Sequence, residues 1–142
     1  MRRIRILLIY DIRSRHDRTV ETILKNGNYE VLRANYPNAV PIALDQFRPD
    51  LVITDRLRVR NLSPCLETVN AHGCPSLNIH HRAAFGFHNF YTTVRKLEKL
   101  TPSHDFVELP RKHTDLVDYI ETIIFDIRQD VDWLNQIYQA DK

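Results

Sequence analysis

Glycine is scarce in this sequence, and its scarcity excludes two common kinds of nucleotide site. Only Gly27, Gly73 and Gly86 occur among the 142 residues. None of them lies in a Gly-x-Gly-x-x-Gly or Walker pattern, in which closely spaced glycines let the backbone approach a phosphate. Nucleotide binding by either device is therefore not expected.

Long hydrophobic runs and a strong net charge are also lacking. The N-terminal apolar run IRILLIY contains Arg5, and no small-residue cleavage site follows it, so it does not read as a signal peptide. No run approaches the ~20 apolar residues of a membrane span. The net charge of +2 gives no general reason to bind nucleic acid or membrane. We expect a cytoplasmic protein without membrane contact.

Cysteine is limited to two residues, Cys65 and Cys74, on either side of a predicted helix. Their spacing matches no zinc pattern. Reduced, structural thiols are the favoured interpretation, and a disulfide remains the alternative.

Short apolar runs alternate with segments of helical periodicity along the whole chain. This alternation predicts a parallel sheet with helices on both faces, in a single domain over residues 1–142. The predicted strands span residues 4–10, 29–33, 50–55, 76–79 and 105–109. The predicted helices span residues 16–25, 37 or 38 to 47, 63–71, 83–100 and 115–138. For the third helix, Ser63 is the expected N-cap and Pro64 the first helical residue.

The last predicted helix, from Asp115 to about Tyr138, is longer than one sheet crossing needs, at roughly 35 Å. We therefore divide the domain into a core over residues 1–127 and a helical extension over residues 128–142. The apolar end of the extension either folds over its own domain or forms a homodimer seam or a linker.

Two aspartates end predicted strands. Asp11 follows the first strand and Asp55 ends the third. Because ligands and chemistry collect at the carboxyl edge of an open parallel sheet, the two carboxylates predict a small acidic site there.

The segment YEVLRANYPNAVPIALDQFRPDLVITD, the spacing from Asp11 to Asp55, and the later DFVELPRKHTDLVDYIETII together resemble the receiver domain of two-component response regulators. The resemblance covers about residues 3–127. It implies a flavodoxin-like, doubly wound sheet of five parallel strands. It also implies that Asp55 is the phosphoacceptor and that Asp11 and Asp55 hold Mg²⁺, whose charge assists phosphoryl transfer.

The sequence departs from the family at most of its active-site positions. Tyr10 stands where the family has a second acid, His80 where it has Thr or Ser, and Leu109 where it has the lysine that pairs with the phosphoryl group. The resemblance therefore implies an atypical or pseudo-receiver with altered switch positions His80 and Leu109. For such a domain we expect no cofactor, or only weakly bound Mg²⁺.

Arginines follow the first and third strands, at positions 13, 15, 18, 56, 58 and 60. Arginine suits two-pronged contacts to phosphate or carboxylate, so Arg56 and Arg58 are candidates for binding an anion or an acidic partner. The alternative is that these arginines are solvated loop charges, some of them paired with Asp11, Asp17 or Asp55.

A second resemblance gives an enzymatic alternative. PDLVITDRLRVRNLSP followed by PSLNIHHRAAFGFH is similar to the central part of folate-dependent formyltransferases. That resemblance implies that Asn78 polarises a formyl carbonyl and His80 stabilises developing charge. Asp105 is the nearby candidate for the third catalytic residue, although the glycines expected around it are absent.

We therefore expect a non-enzymatic domain of a two-component phosphorelay that acts by protein-protein interaction through a degraded phosphoacceptor site. Its partner would be a histidine kinase or an output protein. Another alternative is a phosphorylatable receiver of a transcriptional regulator whose DNA-binding domain is absent. No helix-turn-helix pattern occurs here, so direct contact of this chain with nucleic acid is not expected.

Overall fold

The computed structural model of the protein describes residues 3–11, 19–80, 104–108 and 116–126. Backbone contacts divide the chain into two compact units, Met1–Leu109 and Pro110–Lys142. The strands of the first unit are β1 (Ile4–Asp11), β2 (Tyr29–Tyr36), β3 (Leu51–Asp55), β4 (Ser76–His80) and β5 (His104–Glu108). Its described helices are α1 (Thr19–Asn26), α2 (Val40–Phe47) and α3 (Val59–Ala71).

The five strands form one parallel sheet in the order β2-β1-β3-β4-β5. The predicted flavodoxin-like fold is thus confirmed. β1 and β3 lie inside the sheet, and their aliphatic runs are buried on both faces, as parallel strands require. The register pairs Tyr10 of β1 with Asp55 of β3, so the two strands end together.

One face of the sheet is covered by α2 and α3. Buried side chains of both helices form a single apolar cluster with alternate residues of β1, β2 and β3. In α3 the apolar residues follow helical spacing. They are Leu62, Cys65, Leu66 and Val69. This packing fixes the beginning of α3 next to the carboxyl edge of the sheet.

The other strand residues point to the opposite face because side chains alternate along a strand. Ile6, Leu8 and Ile53 occupy those positions and are fully or almost fully buried. In α1, Val20 and Leu24 are also completely buried, whereas Ile23 is only half-buried.

The predicted start of α3 was wrong. The helix begins at Val59, so Ser63 is not its N-cap and Pro64 lies inside it. The Arg58 carbonyl accepts hydrogen bonds from the N–H groups of Asn61 (2.8 Å) and Leu62 (3.0 Å), which forms a first turn ahead of the proline. Burial of Leu62 stabilises this early turn and outweighs the single hydrogen bond that Pro64 cannot donate.

Other boundaries differ by a few residues. β2 continues to Tyr36, three residues beyond the predicted end, because Ala34, Asn35 and Tyr36 keep pairing with β1. Gly73 follows α3 at φ 69°, a left-handed conformation that glycine adopts without strain, and so ends the helix as predicted.

In the second unit, residues 116–126 are helical. Leu116, Ile120 and Ile124 are buried at four-residue spacing, whereas Ile123 is only half-buried. Tyr119 and Phe125 are more than half exposed. The predicted helix over 83–100 and the extension over 128–142 lie outside the described residues. Within the described ranges, no helix has the combined length and apolar character that would let it cross a membrane.

Candidate functional site

The carboxyl edge of the sheet brings two acidic side chains together with groups from the β3–α3 connection. Asp11 ends β1 and Asp55 ends β3. Both are buried, with 6% of their surface exposed. We call this group the edge cluster. It consists of Asp11, Asp55, Arg56, Arg58 and Asn61.

Arg56 forms a two-pronged ion pair with the neighbouring Asp55. Its Nε donates to Asp55 Oδ1 at 2.7 Å and its Nη2 donates to Asp55 Oδ2 at 3.0 Å. Only 17% of the Arg56 side chain and 8% of the Asp55 side chain are exposed. Charge-assisted pairs of this geometry are among the strongest hydrogen bonds in proteins. Both carboxylate oxygens of Asp55 are therefore engaged by a side chain of the same chain.

Asp11 is held by the beginning of α3. Asn61 Nδ2 donates to Asp11 Oδ2 at 3.2 Å, and Arg58 Nε lies 3.6 Å from the same oxygen. The Arg58 side chain is 45% exposed, so its attraction to Asp11 is screened by water. Asn61 was not identified from the sequence, because it precedes the predicted beginning of the helix at Ser63. The early start of α3 brings it to the third helical position, facing Asp11.

Tyr10 stands beside Asp55 in the strand register, where the receiver family has an acid. The Arg33 guanidinium lies over its ring, 4.1 Å from the centroid. Arg33 also pairs with Glu21 of α1 at 3.2 Å, and Lys25 pairs with the same carboxylate at 2.9 Å. Tyr10 therefore contributes an aromatic ring that packs against a cation, not an oxygen ligand, at this end of β1.

The remaining predicted site residues are not all brought together. His80 is half-buried at the end of β4, in register with Glu108. Leu109 and the arginines at positions 13, 15 and 18 lie outside the described residues. Arg60 was expected in a loop, but it is exposed in the first turn of α3.

The resemblance to receiver domains implies Mg²⁺ at this edge, where the described acidic side chains already have partners. A hard cation needs several oxygen ligands. Both Asp55 oxygens contact Arg56, one Asp11 oxygen contacts Asn61, and Tyr10 replaces the second acid. In the ranges that the structure describes, no group of three or more His, Cys, Asp or Glu side chains could hold a metal.

A second polar group lies deeper, between the middle of the sheet and α3. We call it the buried polar chain. It consists of Thr54, Asn78, Ser76, His104 and Asn70. The Thr54 hydroxyl donates to Asn78 Oδ1 at 2.6 Å, and Asn78 Nδ2 donates to Ser76 Oγ at 2.8 Å. Asn78 is 1% exposed and its amide is used on both sides. It therefore does not present its amide at the strand end, as the formyltransferase alternative requires.

His104 extends this chain from β5 to α3 and was not identified from the sequence. Its Nδ1 lies 2.7 Å from Ser76 Oγ, and its Nε2 lies 3.0 Å from Asn70 Oδ1. We assign the tautomer from these partners. The Ser76 hydroxyl donates to Nδ1, and Nε2–H donates to Asn70, which satisfies both ring nitrogens with neutral groups. The arrangement stabilises the contact between β4, β5 and the end of α3.

The two cysteines are buried free thiols. Burial raises the pKa of Cys65 to about 12, and burial is also the main cause that raises the pKa of Cys74 to about 12. Thiolates are the reactive form of cysteine, so neither residue is placed for nucleophilic chemistry at neutral pH.

No family model matches the sequence, and no curated protein sequence matches it. Similar solved structures exist. One is the signal receiver domain of a protein described as a LuxO repressor from Vibrio parahaemolyticus, with 16% identity and a TM-score of 0.68; the match covers 90% of this chain and 95% of that domain. Another is the response regulator domain of CheB from Thermotoga maritima, with 14% identity and a TM-score of 0.57; the match covers 90% and 96%.

The structure of NtrX from Brucella abortus is also similar, with 17% identity and a TM-score of 0.70. That match covers 92% of this chain but only 28% of the NtrX chain, so this chain corresponds to a small part of that protein. At these identities the likeness shows the fold. The chain has the fold of a response regulator receiver domain.

Proposed function

We propose that this chain is a signal-transduction domain of the receiver type that acts by protein-protein interaction and has a degraded phosphoacceptor site. The receiver fold supports the signalling role, because two of the similar structures are described as a signal receiver domain and a response regulator domain. The observation that supports a degraded phosphoacceptor site is the two-pronged contact of Arg56 with Asp55.

Phosphorylation of a carboxylate requires a free oxygen to attack phosphorus and a cation to neutralise the charge that gathers in the transition state. At this edge, Asp55 would have to release Arg56 before either oxygen could attack. One oxygen of Asp11 already accepts from Asn61, and Tyr10 contributes no carboxylate. These features support a site with weak or no Mg²⁺ binding and without efficient phosphorylation.

The partner proposed is another protein, either a histidine kinase or an output protein. Arg58 and Arg60 are exposed at the beginning of α3, near the carboxyl edge of the sheet, where they would attract an acidic surface. Arg56 would contribute to partner binding by fixing the conformation of the β3–α3 connection, since its own guanidinium is paired with Asp55. Homodimerisation through the C-terminal helix stays a prediction.

Beryllofluoride, which imitates a phosphoryl group on aspartate, tests the proposal. We would record amide NMR spectra of the wild type and of Asp55→Asn, each with and without Mg²⁺ and beryllofluoride. We expect the resonances of Thr54, Asp55 and Arg56 to stay unchanged in both proteins. Tight binding to the wild type that is lost in Asp55→Asn would contradict the degraded site and favour a phosphorylatable receiver.

A further inference from the structure

Arg56 is held by two independent anchors. Its guanidinium contacts both oxygens of Asp55, at 2.7 and 3.0 Å. Its backbone N–H donates to the carbonyl of Ile79 in β4 at 2.8 Å. The side chain is thus tied to β3 and the main chain to the neighbouring strand.

The backbone at Arg56 has a left-handed conformation, with φ 53°. This conformation is unfavourable for a residue with a Cβ atom, and it persists only where surrounding contacts enforce it. The two anchors supply such contacts. The two-pronged contact, the low exposure of both side chains and the anchored backbone together support a fixed orientation of the guanidinium against Asp55.

The charges of the edge cluster balance without a metal. Two carboxylates, Asp11 and Asp55, meet two guanidiniums, Arg56 and Arg58. A divalent cation would add two positive charges next to the largely buried pair of Asp55 and Arg56, and it would have to displace Arg56 to reach Asp55. Both effects oppose metal entry.

We propose that Arg56 is a built-in counter-ion that takes the place of the divalent cation at Asp55 and locks the β3–α3 connection in a single, metal-independent state. The proposal rests on the function proposed above and adds the residue that causes it. Removal of the guanidinium should leave a buried carboxylate that needs a cation, so the site should then respond to Mg²⁺.

The first test is a double-variant cycle in metal-free buffer with chelator, using Arg56→Met, Asp55→Asn and the combined variant. Arg60→Met is the matched control, because Arg60 is an exposed arginine in the first turn of α3. We expect Arg56→Met to lower the urea midpoint clearly and Arg60→Met to leave it nearly unchanged. Asp55→Asn in the same chain should recover most of the loss, because it removes the unpaired charge.

The second test is Mg²⁺ titration of the wild type, Arg56→Met and Arg56→Lys, followed by the amide resonances of Asp11 and Asp55. We expect Arg56→Met to bind Mg²⁺ at least about tenfold more tightly than the wild type. Arg56→Lys should stay close to the wild type, since it keeps the charge.

Equal Mg²⁺ affinity of wild type and Arg56→Met, or no coupling between positions 55 and 56, would overturn the counter-ion role. Such a result does not contradict the proposed function if the wild type still does not bind beryllofluoride. A beryllofluoride response of the wild type would instead contradict the proposed function, whatever the cycle shows. If Arg56→Met does not fold but the combined variant does, the unpaired Asp55 carboxylate is the cause, as the proposal predicts; if neither folds, the loss does not depend on the charge of Asp55 and the counter-ion role is overturned.

Discussion

Two polar regions of one sheet differ in how their buried groups are satisfied. The buried polar chain uses neutral partners spread over β3, β4, β5 and α3, which lie far apart in sequence. The edge cluster uses charged partners, and its shortest contact joins adjacent residues, Asp55 and Arg56. The neutral chain holds distant elements together, whereas the ion pair neutralises the one residue on which a receiver switch would depend.

Because of this difference, removing one partner should have different consequences in the two regions. Loss of a neutral partner in the interior should lower stability without creating a new ligand site, because unpaired hydroxyl and amide groups bind no ion strongly. Loss of Arg56 at the edge should lower stability and also expose a carboxylate to cations. Variants in each region can therefore test whether the buried polar chain and the edge cluster respond differently.

The largest effect expected in the interior comes from His104→Leu. This change removes the partner of the Ser76 hydroxyl and of the Asn70 amide in a buried setting. Two unsatisfied groups should cost about 3 kcal/mol of unfolding free energy. Urea unfolding of the variant measures this cost.

Asn70→Leu, alone and combined with His104→Leu, serves as the control for that experiment. The combined loss should be smaller than the sum of the single losses, since the two side chains share one hydrogen bond. Strict additivity, or a His104→Leu cost below about 0.5 kcal/mol, would show that the buried polar chain does not stabilise the sheet.

A smaller effect is expected from an exposed pair, which supplies the contrast with both buried regions. His72, at the end of α3, contacts the Thr68 carbonyl through Nδ1 and Asp45 through Nε2, each at 2.9 Å. The backbone hydrogen bond to Thr68 and the hydrogen bond to Asp45 raise the pKa of His72 above its usual 6.5. Both contacts favour the protonated ring, which joins α3 to α2.

The direction of the pH dependence of stability follows from the raised pKa of His72. A histidine with a higher pKa in the folded state than in the unfolded state stabilises fully below the unfolded value, and this contribution disappears as pH rises through the folded value. Relative to His72→Gln, the wild type should therefore lose stability as the pH rises from 6.5, the usual pKa of histidine, through the higher folded value, and the loss should be small because the pair is exposed. Parallel pH profiles of the two proteins would contradict this role.

The smallest effect on stability is expected for modification of the cysteines, because the folded protein should not react. The thiols of Cys65 and Cys74 are buried, with a pKa of about 12 each. A thiol reagent at neutral pH should label them only as fast as the protein opens, and rapidly in denaturant. Fast labelling of the native protein would mean that one of the two thiols reaches solvent.

The sequence predicted the sheet better than it predicted the site. Runs such as Ile4–Tyr10 and Leu51–Asp55 are buried strands because they are continuous, aliphatic and β-branched, which is a local signal. The two strand-end aspartates, Asp11 and Asp55, were placed correctly at one edge by the same logic. The alternation of strands and helices predicted a parallel sheet, and the resemblance to receiver domains implied the flavodoxin-like arrangement that the strand order confirms.

The early start of α3 was missed because Ser63-Pro64 is a strong local signal for a helix beginning. The competing signal was the spacing of Leu62, Cys65, Leu66 and Val69, which places Leu62 already on the buried face. A helix predicted from that spacing begins before Leu62 and therefore includes Arg60 and Asn61. It would then have placed Asn61 near the strand ends.

His104 and Asn70 carry no sequence signal that connects them. They are 34 residues apart, and their hydrogen bond exists only because β5 lies beside β4 under the end of α3. The contact of Arg56 with Asp55 was among the alternatives considered, but its two-pronged form depends on the left-handed backbone at position 56. No side-chain pattern of the sequence indicates that conformation.

The central claim is that Asp55 is occupied by Arg56 and does not act as a phosphoacceptor. The most direct measurement is the intact mass of the wild type after incubation with Mg²⁺ and a small phosphodonor such as acetyl phosphate, with Asp55→Asn treated in parallel. The account predicts that both proteins keep their unmodified mass. A wild type that gains one phosphoryl group, while Asp55→Asn gains none, would contradict it.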